Sequence, residues 1–360
     1  MSRTKRAKLK TAGKPSARVA AKVAPRAARS LSLPMAATVL AGICLLAYWN
    51  SFRAGLLLDN QSIILQDVRL RTIDWYSIRN IFTFNYWWRT FESDLFRPLT
   101  TLTYWFNYSV LGNAENVFGY HAVNLLLHWA NVVLVFALVR SVTRKPWVSL
   151  LVAAVLATHP VTVESVTNIV GRADLLAGMS IFGGLCLYRR YLRETSVHVT
   201  RAEQARPLRA RLLLAGLAAT YAAGVFCKES AVVLPGLMLL HDVAFPIDYQ
   251  LPAARRVPIV TQAWLQTIGR CAARVWPAYV SLLPGAALLL WARWAMFHNS
   301  PIFGQNGADN PIAIAGFWTG LMTAVKVAGY YLGLAVWPAA LSCDYSYNQI
   351  TLFGWTLTSG

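Results

Sequence analysis

The sequence has few charged residues, and acidic residues are especially scarce. Only 14% of its 360 residues are charged, and 15 Asp and Glu stand against 34 Lys and Arg, which gives a formal net charge of +19. Soluble domains are usually about 25% charged, whereas 56% of this chain is hydrophobic. This balance excludes a disordered chain and a simple soluble nucleic-acid binder. It favours a protein whose surface lies largely in a lipid bilayer.

Cysteine is also scarce, with five residues scattered along the chain. None stands in a C-x-x-C spacing, and Cys44 and Cys186 lie within apolar runs. Neither a disulfide framework nor a zinc knuckle is therefore expected. The basic excess is uneven, because residues 1–30 contain ten Lys or Arg and no acid. Much of the basicity therefore belongs to a tail and to loops.

Long apolar runs are separated by polar segments along the chain. The first run, 34–51, follows the basic tail, but no small-residue cleavage site follows it, so we interpret it as an uncleaved membrane helix. The pattern predicts an all-α polytopic membrane protein. The further predicted helices are 118–140, 147–158, 175–188, 212–226, 231–245, 275–297 and 312–340. We predict a basic cytoplasmic tail at 1–33, a membrane domain at 34–350 and the start of another apolar segment at 351–360, where the chain is expected to be truncated.

The distribution of Arg and Lys predicts which side of the membrane each connection occupies. The N-terminus and the connections 141–146, 189–211 and 246–274 are predicted to be cytoplasmic. The segments predicted to lie outside are 52–117, 159–174 and 227–230. The side of 343–348 stays open, because simple alternation makes it cytoplasmic whereas a re-entrant last segment would turn it outward.

The predicted outer segments combine carboxylates with cations, and such groups at a membrane are costly without a role. The candidates are Asp59, Asp94, Arg97, His159, Glu164, Arg172, Asp174, Lys228 and Glu229. One chemistry suits this mixture, namely transfer of a group from a lipid-linked phosphate to a hydroxyl. A carboxylate takes the acceptor proton as general base, and Arg or Lys stabilises the departing phosphate.

Each feature also has a structural interpretation. Asp59 could cap a helix, and Lys228 and Glu229 could form an ion pair with each other. A polar stripe at helical spacing is interpreted as hydrogen-bonding between helices, and it comprises His121, Asn124, His128 and Asn131. An interfacial aromatic belt is expected at Trp87, Trp88, Tyr104 and Trp105, with the run after Arg97 lying along the membrane surface. No metal is expected, because His159 and Glu164 lack a third ligand at a fixed offset.

Several motifs occur in an order typical of a known family. FRPLTTLTYWFNY, FGYHAVNLLLH, THPVTVESVTNIVGRADLLAG, CKES and CDYS lie within about residues 35–350. They resemble the TMTC family, membrane O-mannosyltransferases with tetratricopeptide repeats. The resemblance implies a GT-C-like helix bundle with extracytoplasmic loops and interfacial helices. It also implies a polyprenyl-phosphate sugar as co-substrate with no other cofactor, and a protein Ser or Thr acceptor.

The family's acidic motif falls on Asp59, and Asn60 stands where the family often has a second acid. Its other motif residues fall on Arg97, Arg172, Asp174, Lys228 and Glu229. We predict Asp59 as the base and donor-phosphate binding by Arg97, Arg172 and Lys228. Supporting or sugar-binding roles are predicted for Asp94, His159, Glu164, Asp174 and Glu229, with Asp174 orienting Arg172 through an ion pair.

The tetratricopeptide array is absent from these 360 residues. The basic tail and the wording around Asp344 suggest a bacterial inner-membrane member with its active site on the extracytoplasmic face, for which the sugar could differ from mannose. Two alternatives stay open, a non-catalytic membrane scaffold for a C-terminal repeat domain and a lipid-carrier transporter. No nucleic-acid partner is expected.

Overall fold

The computed structural model describes residues 31–56, 59–88, 95–195, 207–245, 272, 274–297, 311–342, 345 and 349–354, and these contain helices and turns but no strand. The helices are α1 (Leu33–Tyr48), α2 (Trp75–Thr83), α3 (Pro98–Trp105), α4 (Val117–Thr143), α5 (Pro146–Thr158), α6 (Val163–Thr167), α7 (Arg172–Glu194), α8 (Pro207–Cys227), α9 (Leu234–Ala244), α10 (Leu283–Phe297) and α11 (Phe317–Val336). The predicted all-α fold is confirmed.

Six stretches in this part of the chain are long and apolar enough to cross a bilayer. They are Leu33–Arg53, Val117–Thr143, Ile169–Glu194, Pro207–Cys227, Arg274–Met296 and Phe317–Val336. A further candidate combines α5 with Pro160–Thr167, and its two parts are bent by 51°. Alone, α5 is about 20 Å long, too short for the roughly 30 Å hydrocarbon core. The chain is a multi-pass membrane protein.

Local sequence signals explain where the helices begin. Ser32 caps α1 by accepting a hydrogen bond from the Met35 amide. At the α4–α5 connection, Arg144 adopts a left-handed conformation with φ of 58°, and Pro146 then starts α5. Proline is suited to the first helical turn because its missing N–H would have no partner there. This tight connection makes α4 and α5 antiparallel neighbours.

The helices place the motifs at one end of the bundle, which we call the motif end and define by Asp59, Arg97, Arg172 and Lys228. Here the Tyr48 hydroxyl at the close of α1 lies 3.0 Å from the Thr162 hydroxyl. At the opposite, arginine end, defined by Arg140, Arg144, Arg189 and Arg193, Arg140 Nη1 donates to the Leu31 carbonyl at 3.2 Å. The predicted outer segments thus gather at one end of the molecule. Which compartment that end faces stays a prediction.

The polar stripe on α4 hydrogen-bonds to backbone carbonyls at helix breaks and neighbouring helices. All four side chains are buried. The carbonyls they contact belong to Ala54 (His121), Val166, Asn168 and Ile169 (Asn124), Ala157 (His128) and Leu175 (Asn131). Unpaired carbonyls in an apolar interior are costly. The interpretation of this stripe as helix-to-helix hydrogen bonding is confirmed.

The run after Arg97 forms α3, and its expected position along the membrane surface stays a prediction, whereas the expectation that Tyr104 belongs to an exposed aromatic belt is wrong. Helix α3 is packed inside the bundle, and Thr100 and Tyr104 are fully buried. The Thr100 hydroxyl donates to the Cys227 carbonyl at 2.8 Å, and the Tyr104 hydroxyl donates to the Val170 carbonyl at 3.2 Å. Tyr104 therefore does not belong to an interfacial belt. Exposed aromatic side chains lie instead on α2, at Trp75 and Tyr76.

Candidate active site

Two ion pairs connect the CKES turn to other motifs at the motif end. Arg97 donates through Nε and Nη2 to Oε2 of Glu229, at 3.1 and 3.0 Å. Lys228 Nζ lies 2.6 Å from Oδ1 of Asp174. The turn is held in place because Thr100, one turn after Arg97, hydrogen-bonds the carbonyl of Cys227. The FRPL, CKES and VGRAD motifs therefore form one cluster.

The alternative in which Lys228 and Glu229 form an ion pair with each other is wrong, because each pairs with another residue. Lys228 has an extended backbone conformation, and the side chains of consecutive residues in an extended chain point to opposite sides. Lys228 consequently reaches α7, whereas Glu229 reaches the start of α3. Each cation keeps donors for a ligand. No hydrogen bond of Arg97 Nη1 is found in the described part of the chain, and only one bond of the Lys228 ammonium, which has three N–H groups, is found there.

Arg172 is the buried centre of the motif end, with 0% of its surface exposed. Its guanidinium donates to Oδ1 of Asn124 (2.8 Å), to the Thr103 carbonyl (3.2 Å), and to Oδ1 of Asn107 and the Tyr120 carbonyl (2.9 and 3.2 Å). The rings of Tyr104 and Tyr120 lie 5.0 and 5.7 Å from its guanidinium carbon. Arg172 thus ties α7 to α3 and α4, and any phosphate would have to displace these partners.

The prediction that Asp174 orients Arg172 through an ion pair is wrong. Asp174 instead contacts Lys228, and the acceptors around Arg172 are neutral. Both residues lie in the first turn of α7, two positions apart, but their side chains have different surroundings. Arg172 points into the bundle, whereas the Asp174 side chain is 43% exposed. The cluster therefore has a buried structural part and an accessible part.

Asp59 belongs to the accessible part and remains exposed. Among the described residues it has no hydrogen bond or ion pair, whereas Asp67 binds Arg69 and Asp74 caps α2. Partial burial raises the pKa of the Asp59 carboxyl above its ordinary value. An uncommitted carboxylate with a raised pKa is suited to accept a proton.

Tyr86 is a buried residue that packs against Arg97 of the cation cluster. Burial raises the pKa of Tyr86 to about 12, while its hydrogen bond to Tyr104 and the charge of Arg97 lower it and the charge of Asp59 raises it. The guanidinium carbon of Arg97 lies 5.2 Å from the centre of the Tyr86 ring. At neutral pH the Tyr86 hydroxyl is uncharged, and it lies 3.5 Å from the hydroxyl of Tyr104.

Asn60 has a structural task beside Asp59. It is buried, and its Oδ1 accepts a hydrogen bond from the Val170 amide at 3.0 Å. This contact fixes the turn that carries Asp59 against the VGRAD motif, whose Arg172 lies two residues beyond Val170. Asn60 therefore positions its neighbour.

Of the other predicted site residues, His159 and Glu164 belong to the segment around α6, and Asp94 lies outside the described residues. His159 caps the turn before α6, where its Nδ1 accepts from the Val161 amide at 3.3 Å. Glu164 is exposed at the start of α6. Asp94 and most of the CDYSYN segment, including Asp344, lie outside the described residues. Within the described part of the chain, no three His, Cys, Asp or Glu side chains form a metal-binding group.

Sequence reasoning missed Arg293, which lies within α10. Its Nη1 is 3.7 Å from Oε1 of Glu229, so Glu229 stands between two arginines. The available signal was an arginine inside an otherwise apolar stretch, LLLWARWAMF. An ionisable residue within a membrane span is a functional candidate by default.

The chain is similar to curated animal proteins. The chain is 30% identical over 312 residues to Protein O-mannosyl-transferase Tmtc2 of Drosophila melanogaster, covering 84% of this chain and 29% of that protein. It is 25% identical over 333 residues to human Protein O-mannosyl-transferase TMTC3, a match that covers 88% of this chain and 33% of that protein. It is 26% identical over 337 residues to human Protein O-mannosyl-transferase TMTC4, a match that covers 87% of this chain and 44% of that protein.

The chain is a relative of the TMTC proteins. The resemblance inferred from the motifs is thereby confirmed. No family model and no solved structure matches the chain. This TMTC relative spans 29% to 44% of the length of the three curated proteins. The similarity covers most of the membrane helices and includes the motif end.

Proposed function

We propose that this chain is the membrane-embedded catalytic part of a glycosyltransferase that acts on proteins. Its donor is a polyprenyl-phosphate sugar, with mannose as the sugar, and its acceptor is a Ser or Thr hydroxyl. The names of its relatives support the transferase class. The observation that carries the proposal is that the accessible Asp59, which has no hydrogen bond or ion pair among the described residues, lies at the same end of the membrane helices as a cluster of cations.

In the proposed reaction, the Asp59 carboxylate accepts the proton of the acceptor hydroxyl. The hydroxyl oxygen then bonds to the anomeric carbon of the sugar, and the bond from that carbon to the phosphate oxygen breaks. The bonding electrons leave with the phosphate, so the products are the glycosylated hydroxyl, a polyprenyl phosphate and one proton. The negative charge on the phosphate increases during this step.

Lys228 and Arg97 are the residues proposed to balance that charge. Both retain N–H groups that do not point at their carboxylate partners. The Lys228 side chain is 26% exposed and that of Arg97 15%, so a ligand at the cluster has access to both. Asp174 and Glu229 hold the two cations in place before the donor binds. Preorganised cations next to low-dielectric lipid stabilise developing charge more than mobile ones in water.

Arg172 has a different part in this proposal. The sequence predicted phosphate binding by Arg172 together with Arg97 and Lys228. We now propose this role for Arg97 and Lys228 alone, because the Arg172 guanidinium is enclosed by Asn124, Asn107 and Thr103. It fixes α3, α4 and α7 and so sets the positions of Arg97 and Lys228. His159, before α6, and Glu164, at the start of α6, are proposed to contact the sugar or the acceptor.

The reaction is proposed to take place on the extracytoplasmic face, since the arginine end is predicted to be cytoplasmic by the positive-inside rule. A bacterial inner membrane remains our prediction from the sequence. Purified protein incubated with polyprenyl-phosphate mannose and a Ser/Thr-rich peptide should release polyprenyl phosphate and yield mannosylated peptide. A scaffold would release none, and a transporter would move the lipid across vesicles without consuming it. Either outcome would overturn the proposal.

A further inference from the structure

A second polar site lies at the arginine end, on the far side of the bundle from the motif end. An open crevice of about 620 Å³ lies between α1, α4 and α7. Three arginines line it, Arg140, Arg144 and Arg193, together with the apolar side chains of Leu33, Phe136 and Ala137. The crevice is therefore cationic on one side and hydrocarbon-like on the other.

Two of the three arginines of this arginine crevice are held by hydrogen bonds, and none of the three forms an ion pair within the described part of the chain. Arg140 donates to the carbonyl of Leu31 at 3.2 Å, and Arg193 donates to that of Ser141 at 2.5 Å. Both acceptors are uncharged. Glu194, next to Arg193 in the chain, is paired instead with Arg209 at 3.2 Å. Among the described residues, no acidic side chain lines the crevice.

The backbone directs the third arginine toward the same space. Arg144 follows the last turn of α4 in a left-handed conformation, with φ of 58°, and it remains exposed. Three like charges in one crevice repel each other, and the repulsion is strongest beside low-dielectric helices. A bound anion would relieve it.

The apolar wall shows which anion fits. Leu33, Phe136 and Ala137 all belong to helices that are candidate membrane spans, and the guanidinium of Arg140 lies 6.0 Å from the Phe136 ring centre. A ligand that matches both sides of the crevice has a phosphate, which binds the arginines, and a hydrocarbon chain, which packs against the apolar wall. Basic pockets between membrane helices bind anionic lipid headgroups in this way, and arginine pairs with phosphate through two parallel hydrogen bonds.

We propose that the arginine crevice binds the phosphate headgroup of an anionic phospholipid, whose acyl chain lies against Leu33 and Phe136. This site is separate from the donor site at the motif end, because it lies at the opposite ends of α4 and α7. It would anchor the bundle in an anionic leaflet. The proposal does not depend on the transferase reaction.

The test is native mass spectrometry of the full chain in detergent, titrated with phosphatidylglycerol and separately with phosphatidylcholine of the same acyl chains. Wild-type protein should bind phosphatidylglycerol at least tenfold more tightly. The double variant Arg144→Gln, Arg193→Gln should lose this preference. The matched control is Arg190→Gln, Arg211→Gln, which removes two exposed charges at the same end that do not line the crevice, and it should keep the preference.

Three results would overturn the proposal. Equal binding of the two lipids by wild-type protein would mean that the crevice does not select an anion. An equal loss in both double variants would mean that only the overall charge attracts the lipid. Displacement of phosphatidylglycerol by inorganic phosphate at the same concentration would assign the crevice to a free anion. Arg140 is left unchanged because its bond to Leu31 also holds α1.

Discussion

Arg97 and Glu229 lie 132 residues apart in the chain and meet through two hydrogen bonds to a single carboxylate oxygen, at 3.1 and 3.0 Å. The pair joins the start of α3 to the turn after α8, so two short motifs that are distant in sequence form one surface. Both nitrogens of Arg97 that make this contact belong to the planar edge of the guanidinium. Its remaining nitrogen, Nη1, is the atom we expect to contact the donor phosphate.

Replacing Arg97 with Lys tests this geometry. Lys keeps the charge but has a single ammonium group, which cannot hold Glu229 through two nitrogens and offer a third to a ligand. We expect the donor affinity of Arg97→Lys to be about tenfold lower than that of wild type, with little change in folding. The donor affinity of Arg97→Ala should be lower still. Binding of a polyprenyl-phosphate sugar measured by titration decides this, with exposed Arg79→Lys in the same outer segment as control. Unchanged donor affinity in Arg97→Ala would remove Arg97 from the site.

Replacing Arg172 with Lys tests its structural role. Lys cannot satisfy Asn124, Asn107 and the Thr103 carbonyl together, and each buried polar group left without a partner costs about 1–3 kcal/mol. We expect a clear drop in the thermal unfolding midpoint in detergent. Arg190→Lys, on an exposed position of the same helix, should leave the midpoint unchanged. If Arg172→Lys folds with normal stability but loses only donor affinity, Arg172 contacts the phosphate after all.

The overall pattern of helices was predictable from the sequence, because apolar runs and Arg-rich connections follow from bilayer thickness and charge. The role of Asn124 was also predictable, since an amide on a membrane helix needs a partner. The partner of Asp174 was not, because Arg172 and Lys228 are equally plausible by charge and only the extended backbone at Lys228 selects one. Burial of Tyr104 was missed for a related reason. Its hydroxyl is satisfied by the Val170 carbonyl, a contact between distant segments that no local pattern indicates.

The pH dependence of the reaction should reflect the environment of Asp59. A general base must be ionised, and partial burial raises the pKa of this carboxyl. The value of kcat/KM should therefore fall as the pH is lowered through a pKa above the ordinary value of about 3.9. Tyr86, with a pKa of about 12, adds no alkaline decline below about pH 11. Rates measured from pH 4 to 9 should show the acid decline in wild type and in Asp59→Glu, and its absence in wild type would argue against Asp59.

The predicted sidedness can be measured by labelling single cysteines in a chain whose five natural cysteines are replaced. Glu164→Cys and Arg144→Cys place a thiol at exposed positions of the motif end and the arginine end. In intact cells, a membrane-impermeant maleimide should label position 164 at once and position 144 only after permeabilisation. The reverse pattern would put the motif end in the cytoplasm and contradict the proposed site of reaction.

Asp59 is proposed to be the general base, and the turnover of Asp59→Asn measures whether it is. The amide keeps the shape of the side chain but cannot accept the proton, so release of polyprenyl phosphate at saturating donor should fall by roughly a hundred- to ten-thousand-fold, while donor binding stays within about twofold of wild type. Asp74→Asn is the matched control, because Asp74 caps α2 through the Ser77 amide and Asn caps helices equally well. Its turnover should be normal. Near-normal turnover of Asp59→Asn, or a loss of donor binding that accounts for the whole effect, would show that Asp59 is not the general base.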